Sequence, residues 1–196
     1  MKKFLEPLSK NNPIIVQTLG VCSALAVTAQ LKPAVVMAAA VTVVCAFSNL
    51  IISLIRNTIP PRIRIVVQLV VVSFFVILVD QFLQAYLYET SKMLSVFVGL
   101  IITNCIIMGR LEAFALSHKP LPSFLDGLFN GLGYGLVLVA VGVVREVLGQ
   151  GTLWGYPVLS DKFYTLGYMN NGLMVLPPMA LILVGSLIWI KNARQS

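Results

Sequence analysis

Apolar residues come along the chain in six blocks, divided by short stretches of charge, proline and polar clusters. The blocks run from about Ile14 to Leu31, Ala34 to Ile55, Ile65 to Leu83, Leu94 to Met108, Leu128 to Val144 and Leu173 to Ile190. Apolar runs near 20 residues read as membrane-spanning helices. The fourth block falls short. At ~1.5 Å per residue it covers ~22 Å of a hydrocarbon core ~30 Å thick. It also carries Thr103, Asn104 and Cys105 near its middle, at the depth where polar groups cost most. The first block is interrupted as well, by Gln17, Thr18, Gly20, Cys22 and Ser23. The pattern predicts an all-α integral membrane protein of six transmembrane helices.

Six spans divide into three and three, and an odd number per half points the halves in opposite directions. Inverted repeats are therefore expected at about 12–88 and 92–190 within one polytopic domain, residues 1–196. Cys22 and Cys105 fall in the first segment of each half, and Lys32-Pro33 and Lys119-Pro120 follow them. Asn49 and Asn130 come next, as a further pair of landmarks. Short or broken segments at matching places of inverted halves mark a site at the bilayer midplane. Irregular backbone at that depth survives only when buried in protein or lining a cavity. Cys22 and Cys105 are expected to meet near a pseudo-twofold axis.

Composition agrees with a bilayer. Hydrophobic residues make up 58% of the chain and charged ones 11%, whereas soluble domains run near half apolar and about a quarter charged. The net charge of +7 does not indicate nucleic acid, because the cations lie between apolar runs rather than along one face. Lys2, Lys3, Lys10, Arg56, Arg62, Arg64, Arg110, Lys119, Lys191 and Arg194 collect on one side of the membrane; Lys32, Lys92, Arg145 and Lys162 fall on the other. That excess places both termini in the cytoplasm. No apolar stretch of signal-peptide type precedes Ile14, so the first block reads as a retained span.

A buried cysteine is most often a small hydrophobe, and Cys45 in VVCAFSN fits that description. Cys22 and Cys105 differ because they occupy equivalent places in two irregular segments. Zinc and iron–sulfur centres commonly take four ligands. The chain has no CxxC motif and one histidine, His118, expected in a solvated loop. Two thiolates are half of a four-cysteine set, so a metal here requires a second chain. Iron would neutralise thiolates that hydrocarbon otherwise penalises. Thr103 and Asn104 are candidates to donate hydrogen bonds around such a centre. Asp80 stands near the end of the third block, as an interfacial acid or part of an ion path. Asp126 precedes the fifth block, as a charge favoured by the helix dipole or as a cation collector at a cytoplasmic mouth. Arg110 is expected to end the fourth span by snorkelling. Gly131 and Gly135 form a small-xxx-small face for close helix packing.

The segments NNPIIVQTLGVCSALAVTAQLKPAVVMAAAVT, FSNLIISLIRNTIP, YETSKMLSVFVGLIITNCIIMGRLEAFA, LDGLFNGLGYG and REVLGQGTLWG resemble one membrane-protein family. It comprises the D-type subunits of sodium-translocating NADH:quinone oxidoreductases and the paralogous E-type subunits of Rnf ferredoxin:NAD+ oxidoreductases. FSNLIISLIRN inclines the resemblance toward the quinone reductase. The likeness runs from Asn12 to about Gly155 and thins beyond. It implies a bacterial inner-membrane component of a six-subunit complex that couples electron transfer to Na+ export. It implies pairing with a homologous E-type subunit of the same complex, of opposite topology. It further implies that Cys22 and Cys105, with two cysteines of that partner, hold an intramembrane iron–sulfur centre of the [2Fe–2S] type. FMN, riboflavin, FAD, NADH and ubiquinone would bind other subunits. A rival reading of different class is a redox-inert secondary carrier with a solute or ion at its broken helices.

Overall fold

The computed structural model describes residue 14 and residues 17–86, 98–153, 156–157 and 176–195. Among these residues seven helices follow in order: α1 (Val21–Val27), α2 (Leu31–Ile55), α3 (Arg64–Tyr86), α4 (Val98–Ile102), α5 (Cys105–Arg110), α6 (Pro120–Gln150) and α7 (Pro177–Gln195). A five-residue π-helical turn, Leu111–Ala115, extends α5. A two-residue antiparallel ladder pairs Thr152–Leu153 with Tyr156–Pro157.

Local chemistry sets the ends. Pro33 lies in the first turn of α2 and Pro120 opens α6, positions where a missing N–H costs nothing. Gly151, left-handed at φ 69°, closes α6 and donates its N–H to the Val147 carbonyl. α2, α3 and α6 are each long and apolar enough to cross a bilayer, and the apolar part of α7, Pro177–Ile190, is shorter. The expected split of the fourth segment is present, with Thr103 and Asn104 between α4 and α5. Among the described residues of the first segment, helix before Leu31 is likewise confined to the seven residues of α1. The boundary placed near 88–92, and the start of the sixth block at Leu173, lie outside the described residues.

The core is the seam between α2 and α6. Gly131 faces Thr42 and Gly135 faces Ala38, so numbers rise along α6 as they fall along α2 and the two helices run antiparallel. A Cβ on Gly131 would stand 2.7 Å from the Thr42 Cα. This is the close approach that the small-xxx-small spacing predicts. By contrast 17% of the apolar window of α3 is buried, against 61% for α2. Val66, Val70, Phe74, Ile77 and Phe82 of α3 are exposed, an apolar surface suited to lipid. Phe47 ties the layers together, stacking on Phe75 of α3 and meeting Phe124 of α6 edge-on.

Polar contacts define two ends of the bundle. At one, Arg56 and Ser53 donate to the His118 carbonyl, Arg64 pairs with Glu112, and Arg110 pairs with Asp126. At the other, Arg145 donates to the Leu25 and Leu176 carbonyls and to Thr28 Oγ1, while Glu146 accepts the Leu31 N–H that opens α2. Arg56, Arg64, Arg110 and Lys119 thus share an end, as the distribution of cations along the chain suggests.

Two expectations need correction. Arg145 is not in a connection: it is 1% exposed within α6, which runs on to Gln150 rather than stopping at Val144. Arg110 does not end the fourth segment by snorkelling; its charge is met by Asp126, and helix continues through Ala115. A charge with a buried partner does not terminate a helix, and reading boundaries from charge mistakes it for one that does.

Candidate functional site

Gly20 precedes α1 with φ 81°, and Thr18 two residues earlier also has positive φ, at 52°. For a β-branched residue that conformation is strained. Gly20 is required twice over. Any Cβ would sit 2.7 Å from Ile106 Cδ1, and the left-handed backbone itself disfavours side chains. In the other half, extended backbone at Asn104 stops α4, and the Asn104 Oδ1 caps α5 by accepting the Ile106 N–H at 3.2 Å.

These two interruptions meet. The Gly20 N–H donates to Cys105 Sγ at 2.8 Å. Cys22 and Cys105 are unbridged thiols close enough to interact. Cys22 is in the first turn of α1, which runs from here to the Arg145 end; Cys105 opens α5, which runs to the Arg110 end. The two short helices therefore start back to back and diverge, each with its sulfur at the start. Cys105 is half-buried, whereas Cys22 is exposed at the surface of the chain. Among the described residues no group of three or more His, Cys, Asp or Glu gathers anywhere, so the thiol pair stands as two ligands and no more.

Beneath the sulfurs lies a buried polar knot. Ser23 Oγ donates to the Gly20 carbonyl at 2.9 Å and meets the Tyr134 hydroxyl at 2.7 Å. With the serine proton so engaged, Tyr134 donates to Ser23. Asn104 Nδ2 reaches Ser23 Oγ at 3.4 Å, so Ser23 links Asn104 to Tyr134. Tyr134, from the middle of α6, is completely buried.

Residues 1–188, a stretch that includes both interrupted segments, match the family described as "Rnf-Nqr subunit, membrane protein". The chain belongs to the Rnf-Nqr family. Similar members include the D-type subunit of the "Na(+)-translocating NADH-quinone reductase" of Aeromonas salmonicida, 60% identical over 100% of this chain and 93% of that protein. The protein of the same name from Aeromonas hydrophila is 60% identical over 100% of this chain and 95% of its own. That from Shewanella piezotolerans is 59% identical, covering 98% and 91%.

Within this Rnf-Nqr chain the other expected residues are distributed as follows. Thr103 Oγ1 bonds the Gly99 carbonyl, and Asn104 spends its amide on the cap and the Ser23–Tyr134 knot. The backbone donor that reaches a sulfur is the Gly20 N–H. Asp126 is 6% exposed and held by Arg110 through Nε at 2.9 Å and through Nη2, with Asn130 Nδ2 adding a bond at 3.0 Å. Asp80 accepts from Gln84 at 2.9 Å and lines a narrow cleft with Val36, Leu83 and Ile101. Cys45 is completely buried in the seam, as its apolar neighbours suggest, and His118 lies exposed on the turn before α6, stacked on Phe114.

The apolar pattern does not single out Tyr134, the Ser23 contact to it, or the adjacent Arg145 and Glu146 as parts of the interior network. A signal for the first is present nonetheless: a tyrosine inside a membrane span must find a partner for its hydroxyl. Adjacent ionisable residues within a span call for partners in the same way.

Proposed function

We propose that this chain is the D-type subunit of a sodium-translocating NADH:quinone reductase of the bacterial inner membrane. Cys22 and Cys105 then supply two of the four thiolates of an iron–sulfur centre, of the [2Fe–2S] type, and a homologous E-type subunit of opposite topology supplies the others. The observation that carries this reading is the juxtaposition of the two thiols at the starts of two interrupted helices.

The residues present fit half of such a site. Two sulfurs lie side by side, one already accepts a backbone N–H, and the other is exposed toward whatever completes the set. When bound, the centre would supply a one-electron carrier where the two interrupted segments meet. The chain does the holding. Gly20 and Asn104 break the helices at the required depth, and the Gly20 N–H directs a donor at Cys105, the kind of contact that tunes a sulfur-ligated metal. NADH, flavins and quinone belong to the other subunits. The family resemblance, together with the gathering of Arg56, Arg64, Arg110 and Lys119 at one end, supports both termini in the cytoplasm. For sodium, Asp80 is the more open of the two candidate acids, since Asp126 is closed by Arg110 and Asn130.

The test is metal analysis and electron paramagnetic resonance of the intact complex. Cys22→Ala and Cys105→Ala each abolish the signal and lower iron by one centre per complex. Unchanged iron in both variants overturns the proposal.

A further inference from the structure

The thiol pair is carried by two separate pieces of chain, and something must set the distance between them. Covalently the cysteines are connected only through a long stretch of intervening chain, and their own helices are short. The residues next to them are linked more directly. Ser23 follows Cys22 and Asn104 precedes Cys105; Ser23 Oγ meets the hydroxyl of Tyr134, and Asn104 Nδ2 reaches that same Ser23 Oγ. Tyr134 is completely buried on α6, the helix whose seam with α2 forms the core. Its ring also lies beside Gly20, the Cε2 atom 3.0 Å from where a Cβ would be. Through Ser23 the hydroxyl thus joins both sulfur-bearing segments to the helix that forms the core.

We propose that Tyr134 is a positioning residue for the Cys22–Cys105 pair, its hydroxyl fixing the separation of the two sulfurs through Ser23 and Asn104. The extension to metal binding rests on the function proposed above; the positioning of free thiols does not. Without the hydroxyl the two half-helices keep their backbone breaks but lose their common anchor, and the sulfurs spend less time within reach of each other.

The experiment measures disulfide closure. The intact complex in native membranes, carrying Cys45→Ala to remove the third thiol, is reduced and chelated so that both cysteines are free. Copper(II)–phenanthroline is then added. Two thiols release two protons to water and two electrons to copper as the S–S bond forms, and the rate is followed by mass spectrometry of the linked peptides. Tyr134→Phe, which retains the ring, is expected to slow closure about fivefold, the population ratio that one net hydrogen bond carries. Ser23→Ala is expected to do the same, and the double variant to add little to either, since both cut one linkage. Tyr86→Phe, on the exposed end of α3, leaves the rate unchanged.

Chelator-free complex provides a second readout: Tyr134→Phe keeps its iron but shifts the paramagnetic signal and the midpoint potential. Closure at the unaltered rate in Tyr134→Phe overturns the proposal. Should that variant fail to assemble, an unaltered rate in Ser23→Ala overturns it equally. If the wild-type complex has no iron bound by these cysteines and yet the variants slow closure, the metal reading falls while the positioning role stands.

Discussion

The backbone N–H of Gly20 points at the sulfur of Cys105 from 2.8 Å, across 85 residues of sequence. The contact depends on a backbone conformation that side chains avoid and on a gap too small for a methyl group. Gly20→Ala therefore costs about 1–3 kcal/mol of strain before any clash with Ile106 is counted. Thermal unfolding of the detergent-solubilised complex should show the loss, together with slower Cys22–Cys105 closure. A variant as stable as wild type would show that the left-handed turn is dispensable.

The α2–α6 seam makes a second prediction. Gly131→Leu must push Thr42 away and should exceed the ~1–3 kcal/mol typical of overpacking. Gly185 of α7 has no described atom within 4 Å of its would-be Cβ, so Gly185→Leu should leave unfolding unchanged. The contrast between the two glycines, read by thermal unfolding, separates seam packing from a general intolerance of bulk.

Arg110 and Asp126 form a two-point pair at 15% and 8% side-chain exposure. Removing either partner leaves a buried charge uncompensated, a loss of about 3–5 kcal/mol. Asp126→Leu and Arg110→Met should each reduce assembled complex sharply, while the double variant recovers most of it. If the double variant is as damaged as the singles, the two residues act elsewhere than on each other.

Asn49 is wholly buried, and neither its Nδ2 nor its Oδ1 has a hydrogen-bond partner among the described residues. An apolar residue of similar volume removes that penalty. Asn49→Leu should be neutral or raise stability by about 1 kcal/mol, whereas most substitutions in this seam lower it. A loss of several kcal/mol would reveal a bound group that the asparagine serves.

The weakness of the first and fourth apolar blocks and the meeting of Cys22 with Cys105 were legible from residue order. Polar residues interrupting an apolar run are visible directly, and two such runs at matching places imply one another. The packing face was legible too, because Gly131 and Gly135 are spaced by about one helical turn. Arg145 was not. A charge at the edge of an apolar block looks like a boundary, and only the carbonyls of Leu25 and Leu176, far away in sequence, reveal it as an internal clamp. Tyr134 was hidden for a related reason. Its role exists only through Ser23 and Asn104, which local periodicity cannot connect. Proximity along the chain suggests the sulfurs as partners for Thr103 and Asn104, yet Gly99, Ile106 and Ser23 compete for their polar atoms and win.

The antiparallel seam has a consequence for biogenesis. As the ribosome feeds the chain into the membrane, α2 arrives long before the glycine ladder on α6 that fills its groove. At a synthesis rate of ~5–20 residues per second, the nascent α2 waits roughly 5–20 s with its small-residue face bare. For the first part of that interval Cys22 has no counterpart, because Cys105 follows it by 83 residues, so thiol pairing is a late event, timed by translation of the second half.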